Sequence, residues 1–83
     1  MDQIARTPLQ LGAALRRRRK QLQKTQDQIG RQVHLRQGTV SHLESGDVGT
    51  KLGTLFDVLS ALELEIVVRQ RTKGDPIRIE DIF

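Results

Sequence analysis

The chain has 83 residues, no cysteine and a net charge of +4, which together indicate one small domain with a marginal core that a second copy could reinforce. The lack of cysteine excludes a disulfide framework and a thiolate metal site. No apolar run approaches the ~18–20 residues that span a bilayer, and "MDQIARTPLQ" lacks a signal peptide's apolar stretch, so we expect a cytoplasmic protein with no membrane partner.

The positive charge is concentrated in the first half of the chain. Residues 1–46 contain nine Arg and Lys against three Asp and Glu, a net charge of +6, whereas residues 47–83 have a net charge of −2. A basic half indicates a polyanionic partner. Both aromatic residues, Phe56 and Phe83, lie outside this half, so it lacks stacking platforms for single strands or unpaired RNA bases. Double-stranded DNA is therefore the predicted ligand.

A flexible arm over residues 1–6 precedes the first helix, which the stretch "TPLQ" predicts to begin at Thr7. Proline takes the first helical position and the glutamine closes a capping box. A spacing of four residues from Leu11 passes through Leu15 and reaches Arg19, so Arg19 is the inward member of the basic run "RRRRK". Its neighbours in the run are typical either of a solvated face or of a surface that contacts phosphates.

Two short helices joined by a tight turn follow. Thr25 begins the second helix with a capping box to Gln28. The turn "VHLR" leads to a third helix over residues 36–45, and Gly46 provides its left-handed stop. The apolar residues predicted to face the core from these two helices are Ile29, Val33, Val40 and Leu43.

Thr50 is predicted to cap a fourth helix with a strong amphipathic pattern. Its apolar residues follow the spacing i, i+3, i+4, i+7 and i+10, which assigns them to the core. They are Leu52, Leu55, Phe56, Leu59 and Leu62.

After the fourth helix the apolar period changes from 3.6 to 2, which predicts a β-strand. Its dimerising residues are Leu64, Ile66, Val67 and Val68. A lone strand leaves its backbone groups unpaired, so it pairs either with "PIRIEDI" in the same chain or with the same strand of a second copy about a two-fold axis.

The run from "LGAALRRRRK" to "SALEL" resembles the phage-repressor-like (Xre/Cro) helix-turn-helix family. The resemblance covers about residues 9–64. It rests on spaced positions that agree: Leu15, Arg19, Gln26, Ile29, Val40, Ser41, Leu43, Glu44, Gly46 and Leu62. It implies a mainly α fold, with a four-helix DNA-binding domain over residues 7–63 and a dimerising strand and tail over residues 64–83.

A β-strand directly after "SALEL" is similar to the HipB-type antitoxins. This resemblance implies a homodimer whose C-terminal strands form an antiparallel sheet between subunits. It also implies a transcriptional repressor that binds a palindromic operator, represses its own operon and holds a HipA-type Ser/Thr kinase toxin.

Glutamine matches the N6 and N7 atoms of adenine in the major groove, and the first turn of a recognition helix can reach them. Gln37 lies in that turn. The family pattern implies that the base-reading residues are Arg36, Gln37, Gly38, Ser41 and His42. The predicted phosphate contacts are Gln26 and Thr39 from the resemblance, and Arg16, Arg17 and Arg31 from the basic half. An ordinary solvated surface is the alternative for Gln37 and His42.

Glu44 follows Val40 by four residues and therefore points inward, where a carboxylate needs a partner. Arg19 is the natural partner, so the two are predicted to form a buried, structural ion pair, and the resemblance pairs the same positions. His34 stands in the turn where the family usually has glycine, and histidine tolerates the left-handed region better than most residues. With only two histidines and no nearby carboxylate cluster, no metal or other cofactor is expected.

No carboxylate pair, activated nucleophile or glycine-rich phosphate loop is recognisable, so an enzyme is not expected. Three interpretations stay open: an antitoxin repressor, a stand-alone repressor of the same fold, and a protein-interaction module whose basic face binds an acidic partner. The apolar end of the tail, Ile82 and Phe83, either completes a second strand or docks on a partner such as the toxin.

Overall fold

The computed structural model describes residues 2–71 and contains four α-helices in that part of the chain. They are α1 (Pro8–Gln21), α2 (Gln26–Gln32), α3 (Gln37–Glu44) and α4 (Leu52–Ala61). The helices α2 and α3 pack against each other, α1 packs on α3, and α4 packs on α2. The four helices occur in the predicted order, which confirms the helical part of the fold.

Capping residues determine where α1 and α2 begin. The hydroxyls of Thr7 and Thr25 accept hydrogen bonds from the backbone N–H groups of Gln10 and Gln28, each at 3.1 Å. At α2 the Gln28 side chain accepts from the Thr25 N–H at 2.8 Å, which completes the predicted capping box. At α1 the Gln10 side chain instead accepts from the N–H of Arg6 at 2.7 Å, so it fastens the N-terminal arm to the helix.

The fourth helix begins one residue later than predicted. Its N-cap is Lys51, and no side chain caps it, whereas the sequence assigned that role to Thr50. The backbone N–H of Thr50 donates to the carbonyl oxygen of Asp47 at 3.4 Å, so Thr50 belongs to the preceding turn.

All four helices end in the same way. The residue after each C-cap has a positive φ: 57° at Gln23, 62° at His34, 87° at Gly46 and 58° at Glu63. The next N–H then donates back across the last turn of the helix, as in a Schellman motif. Only one of these four residues is glycine, so the other three carry the steric cost of a Cβ in the left-handed region.

The core contains side chains from all four helices. Its buried members are Leu15, Ile29, Val40, Leu43, Val58, Leu59, Ala61 and Leu62. The prediction for α4 was wrong at two positions, because Leu52 is 66% exposed and Phe56 is 49% exposed. Successive helical residues are rotated by about 100°, so an inward row through Val58, Leu59 and Leu62 turns Phe56 toward solvent.

Two glycines allow α1 to lie directly on the end of α3. A Cβ on Gly12 would lie 2.5 Å from the carbonyl oxygen of Glu44, and one on Gly46 would lie 2.8 Å from the Cα of Leu9. Both separations are below 3.0 Å, which real Cβ contacts essentially never show. The crossing of α1 over α3 is therefore a contact of backbone on backbone.

Residues 64–71 form no strand within the single chain. Leu64 packs against the core, whereas Ile66, Val67 and Val68 are exposed. The strand and its pairing between subunits stay predictions, and "PIRIEDI", Ile82 and Phe83 lie outside the described residues. None of the helices in residues 2–71 has the length and apolar character needed to cross a membrane.

Candidate nucleic-acid interface

The basic run at the end of α1 divides into an inward pair and an exposed set. Arg18 donates from Nε to the carbonyl oxygen of Leu62 at 3.0 Å and lies 3.7 Å from the carboxylate of Glu63, which ties α1 to the end of α4. Arg19 points inward toward α3. The exposed members of the run are Arg16, Arg17 and Lys20. They provide three cations on one stretch of helix.

Arg19 and Glu44 form an ion pair whose side chains are 11% and 4% exposed. Arg19 donates from Nε to Oε2 at 2.7 Å and from Nη2 to Oε1 at 3.0 Å, and its Nη1 donates to the carbonyl oxygen of Lys24 at 2.9 Å. Hydrogen bonding to Glu44 and the charge of that carboxylate raise the pKa of Arg19 above its ordinary value, although burial acts in the opposite direction. The arginine therefore stays charged beside its partner.

A chain of hydrogen bonds leads from this ion pair to the surface. The Oε1 atom of Glu44 also accepts from Nε2 of Gln26 at 3.0 Å. The Oε1 atom of Gln26 in turn accepts a short hydrogen bond from Nε2 of Gln37. Gln37 is exposed and is the first residue of α3. Hydrogen bonds thus join four side chains from three helices, and the last of these side chains, that of Gln37, reaches solvent.

A cleft of about 500 Å³ opens beside three of these four side chains, those of Arg19, Gln26 and Glu44. It is lined by Arg16, Arg19, Thr25, Gln26, Ser41, Glu44 and Ser45. The cleft brings together a predicted phosphate contact from α1, another from α2 and a predicted base contact from α3. Sequence reasoning did not select Thr25 and Ser45 as site residues, because their roles at helix ends gave no functional signal.

A second cleft of about 450 Å³ shares Arg16 and Glu44 with the first. Its other lining residues are Leu9, Ala13, Arg17 and Lys20. Lys20 was not among the predicted site residues, although its position four residues after Arg16 places it on the same side of α1. The two clefts together form a surface with three exposed cations.

The remaining predicted site residues lie around these clefts or apart from them. Arg36 is the exposed N-cap of α3, Gly38 and His42 are exposed, and Thr39 is half-buried. Nothing lies within 4 Å of a Cβ placed on Gly38. No group of three or more potential metal ligands occurs in residues 2–71.

Two of the arginines predicted to contact phosphates already have side-chain partners in the free chain. Arg17 donates to the side-chain oxygen of Gln3 at 2.9 Å, and Arg31 pairs with Asp27 at 2.8 Å. Arg31 is absent from the lining of both clefts. Arg17 holds the N-terminal arm against the basic end of α1, whereas Arg31 belongs to a local pair on α2.

Comparison with known proteins identifies the family. Residues 10–71 match the helix-turn-helix domain family. Antitoxin HipB of Escherichia coli K12 is 30% identical over 70 residues, which cover 84% of this chain and 80% of that protein. The chain belongs to the HipB-type helix-turn-helix family. Antitoxin HipB of Escherichia coli O6:H1, strain CFT073, is likewise 30% identical over 70 residues, with 84% of this chain and 74% of the relative covered.

Solved structures of HipB share the fold of this family member. A HipB complex with an O4 20mer has a TM-score of 0.81 at 30% identity, and the match covers 86% of this chain and 100% of the other. A HipA-HipB-O2-O3 complex has a TM-score of 0.80 with the same identity and coverage. This chain therefore has the fold of the HipB proteins in those complexes.

Proposed function

We propose that this chain is a sequence-specific double-stranded DNA-binding repressor, the antitoxin of a HipA-type Ser/Thr kinase toxin and the repressor of its own operon. The observation that carries the proposal is the position of Gln37, exposed at the first residue of α3 and held by Gln26 beside a basic cleft. Its amide offers the donor and acceptor that adenine requires in the major groove. The solved HipB complexes with a 20mer and with HipA support this proposal by homology.

In this proposal α3 enters the major groove and α1 contacts the phosphates. Base contacts come from the exposed side of α3, at Arg36, Gln37, Gly38, Ser41 and His42. Phosphate contacts come from Arg16, Arg17, Gln26, Arg31 and Thr39, and Lys20 joins them because it lines the same basic cleft as Arg16 and Arg17. Arg31 contributes least, because Asp27 already shares its charge at 2.8 Å.

The proposal includes a homodimer on a palindromic operator. Ile66, Val67 and Val68 are exposed in the single chain, and their pattern is that of a strand that needs a partner. Pairing with the same strand of a second copy satisfies both backbones about a two-fold axis. Two α3 helices about 34 Å apart would then contact successive turns of the major groove.

Titration of labelled DNA at several salt concentrations tests the DNA-binding part. The wild-type protein should bind a duplex selected from a random pool more tightly than a random duplex, and log affinity should fall linearly with log salt. Arg16→Gln should reduce the slope by about one without changing the sequence preference. Arg71→Gln, which removes the same charge from an exposed residue outside both clefts, is the control. Equal affinity for both duplexes would favour a protein-interaction module instead.

Sedimentation at micromolar concentration tests the dimer. The wild-type chain should sediment as a dimer, and Val67→Pro should shift it to monomers because proline removes a strand donor. Val67→Thr retains that N–H and the β-branched side chain, so it should stay dimeric. A wild-type chain that is monomeric both free and on DNA would exclude the proposed dimer.

Co-purification with a HipA-type kinase tests the toxin partnership. Deletion of residues 81–83 should weaken kinase binding while thermal stability and DNA affinity stay unchanged, if Ile82 and Phe83 dock on the toxin. A deletion that lowers only thermal stability would assign the tail to the fold. Failure of the full chain to bind the kinase would leave a stand-alone repressor.

A further inference from the structure

We propose that Arg18 fixes the angle between α1 and the dimer strand, residues 64–68, and thereby determines which spacing of operator half-sites the dimer accepts. This inference rests on the proposed function and concerns how the two DNA-binding surfaces of the dimer are held relative to each other. Arg18 bonds to the end of α4 in its own chain, so it acts as a positioning residue and not as a DNA contact.

The basic run gives α1 two different sides. Successive helical residues are rotated by about 100°, so Arg18 lies about 200° around the helix from both Arg16 and Lys20. Those two residues line the second cleft, whereas Arg18 lines neither cleft and its side chain is only 30% exposed. One side of α1 therefore presents cations for the proposed phosphate contacts, and the opposite side holds the end of α4.

Arg18 binds two consecutive residues at that end. Leu62 is the C-cap of α4, and the carbonyl groups at the end of a helix lack a partner inside it. The Nε atom of Arg18 donates to this carbonyl oxygen at 3.0 Å, and its Nη2 atom lies 3.7 Å from the carboxylate of Glu63. The guanidinium is planar and its donors have fixed directions. It therefore restricts the angle of the joint between α1 and α4 as well as its distance.

The dimer strand begins directly at this joint. Glu63 has a φ of 58°, and the N–H of Leu64 donates back to the carbonyl oxygen of Leu59 at 2.9 Å. Leu64 packs against the core, and the exposed Ile66 and Val67 follow at once. No linker separates the joint from the residues proposed to pair with a second copy. A change in the angle of the joint would thus pass unreduced into the dimer.

Such a change has a large effect at the recognition helices. Two α3 helices about 34 Å apart lie about 17 Å from the two-fold axis. A rotation of about 10° at the joint would displace each of them by about 3 Å, close to the rise of about 3.4 Å between successive base pairs. A firm joint therefore selects one spacing of half-sites, whereas a loose joint accepts neighbouring spacings.

Arg18→Met tests the inference, because methionine keeps an unbranched apolar side chain but cannot donate to Leu62. The probes are a palindromic duplex selected from a random pool by the wild-type protein, and the same duplex with one central base pair inserted or removed. The wild-type protein should bind the selected duplex about tenfold more tightly than the other two, and Arg18→Met should reduce this difference to about threefold. Arg18→Lys keeps a charge and a donor and should give an intermediate difference, so the test does not depend on one variant folding.

Arg17→Gln is the matched control, since Arg17 is the neighbouring arginine and a proposed phosphate contact. It should weaken binding to all three duplexes alike and reduce the salt slope by about one, whereas Arg18→Met should leave that slope unchanged. An undiminished preference for the selected spacing in Arg18→Met would overturn the inference, and so would equal weakening on all three duplexes. A wild-type protein that selects no palindrome, or that binds DNA as a monomer, would instead contradict the proposed function itself.

Discussion

The polar face that α1, α2 and α3 share and the exposed side of α4 differ in whether their side chains have partners within one chain. On the first, Arg19, Glu44, Gln26 and Gln37 bond to one another in series. On the second, Leu52 and Phe56 remain largely in solvent. A buried polar group without a partner costs free energy at once, whereas an exposed apolar side chain forgoes only the gain of burial. The fold must therefore satisfy the polar face by itself, but it can leave the apolar side uncovered.

We expect the largest effect on stability from removal of the Glu44 carboxylate, at the buried end of the polar face. Glu44→Ala should lower the free energy of unfolding by about 3–5 kcal/mol, because it leaves the Arg19 charge buried and unpaired. Urea denaturation measures the loss. Asp27→Ala, which breaks the exposed pair with Arg31, is the control and should change stability by less than about 1 kcal/mol.

Joint replacement of the pair provides a further check. The double variant Arg19→Met with Glu44→Leu should recover most of the loss, because no buried charge then remains. If Glu44→Ala lowers the free energy of unfolding no more than Asp27→Ala does, the buried ion pair does not stabilise the fold.

The next effect compares two leucines of α4. Leu59 is 4% exposed and Leu52 is 66% exposed. Leu59→Ala should cost about 2–5 kcal/mol of unfolding free energy because it opens a cavity, whereas Leu52→Ala should cost less than about 0.5 kcal/mol. Both are measured by denaturant unfolding at low protein concentration, where self-association does not contribute. Equal losses would place Leu52 in the core.

These two regions also differ in how far the sequence predicts them. The Thr25–Gln28 capping box depends on residues three apart, and the Arg19–Glu44 contact follows from the rule that a buried carboxylate needs a cation. Such local or chemically forced features can be predicted. The inward side of α4 could not, because its apolar pattern is wide enough to permit several rotations and packing against the other helices selects one.

The contact between Gln26 and Gln37 is unpredictable for a related reason. The two residues lie eleven positions apart on different helices. Whether their amides meet depends on the angle between α2 and α3, which is set by the turn at His34 and by core packing. The sequence therefore indicates that Gln37 is available to DNA, but the structure is needed to show how it is held.

Removal of the Gln37 side chain, at the exposed end of the polar face, should have a smaller effect. It should change the free energy of DNA binding and not the free energy of unfolding. Gln37→Ala should cost about 1–3 kcal/mol of binding free energy on the selected duplex and much less on a random duplex. Competition titrations with both duplexes measure the difference. Arg16→Gln serves as the contrasting variant, because loss of a phosphate contact weakens both complexes alike. Similar losses on the two duplexes would show that Gln37 does not recognise bases.

The smallest effect concerns the residues with positive φ at the ends of the helices. Gln23→Gly and His34→Gly should each stabilise the chain by about 0.5–1 kcal/mol, because glycine occupies the left-handed region without a Cβ penalty. The reverse change at the one glycine of the set, Gly46→Ala, should destabilise it. Thermal melts measure all three, and a shift of about 4–8 °C corresponds to 1 kcal/mol for a domain of this size. A lower melting temperature for His34→Gly would show that the imidazole stabilises its turn.

The glycine contact between α1 and α3 has a consequence for how such a protein diverges. The space at Gly12 is closed by the last carbonyl groups of α3, so even a single added methyl group must push that helix outward. Since Glu44 lies at the point of contact, the same displacement would strain the buried pair and tilt the opposite end of the helix, where Gln37 begins it. In the proposed complex, a mutation at position 12 would thus alter the angle at which α3 meets DNA without replacing any side chain on the proposed DNA-binding surface. We expect lineages that lose this glycine to change their operator geometry and their recognition residues together.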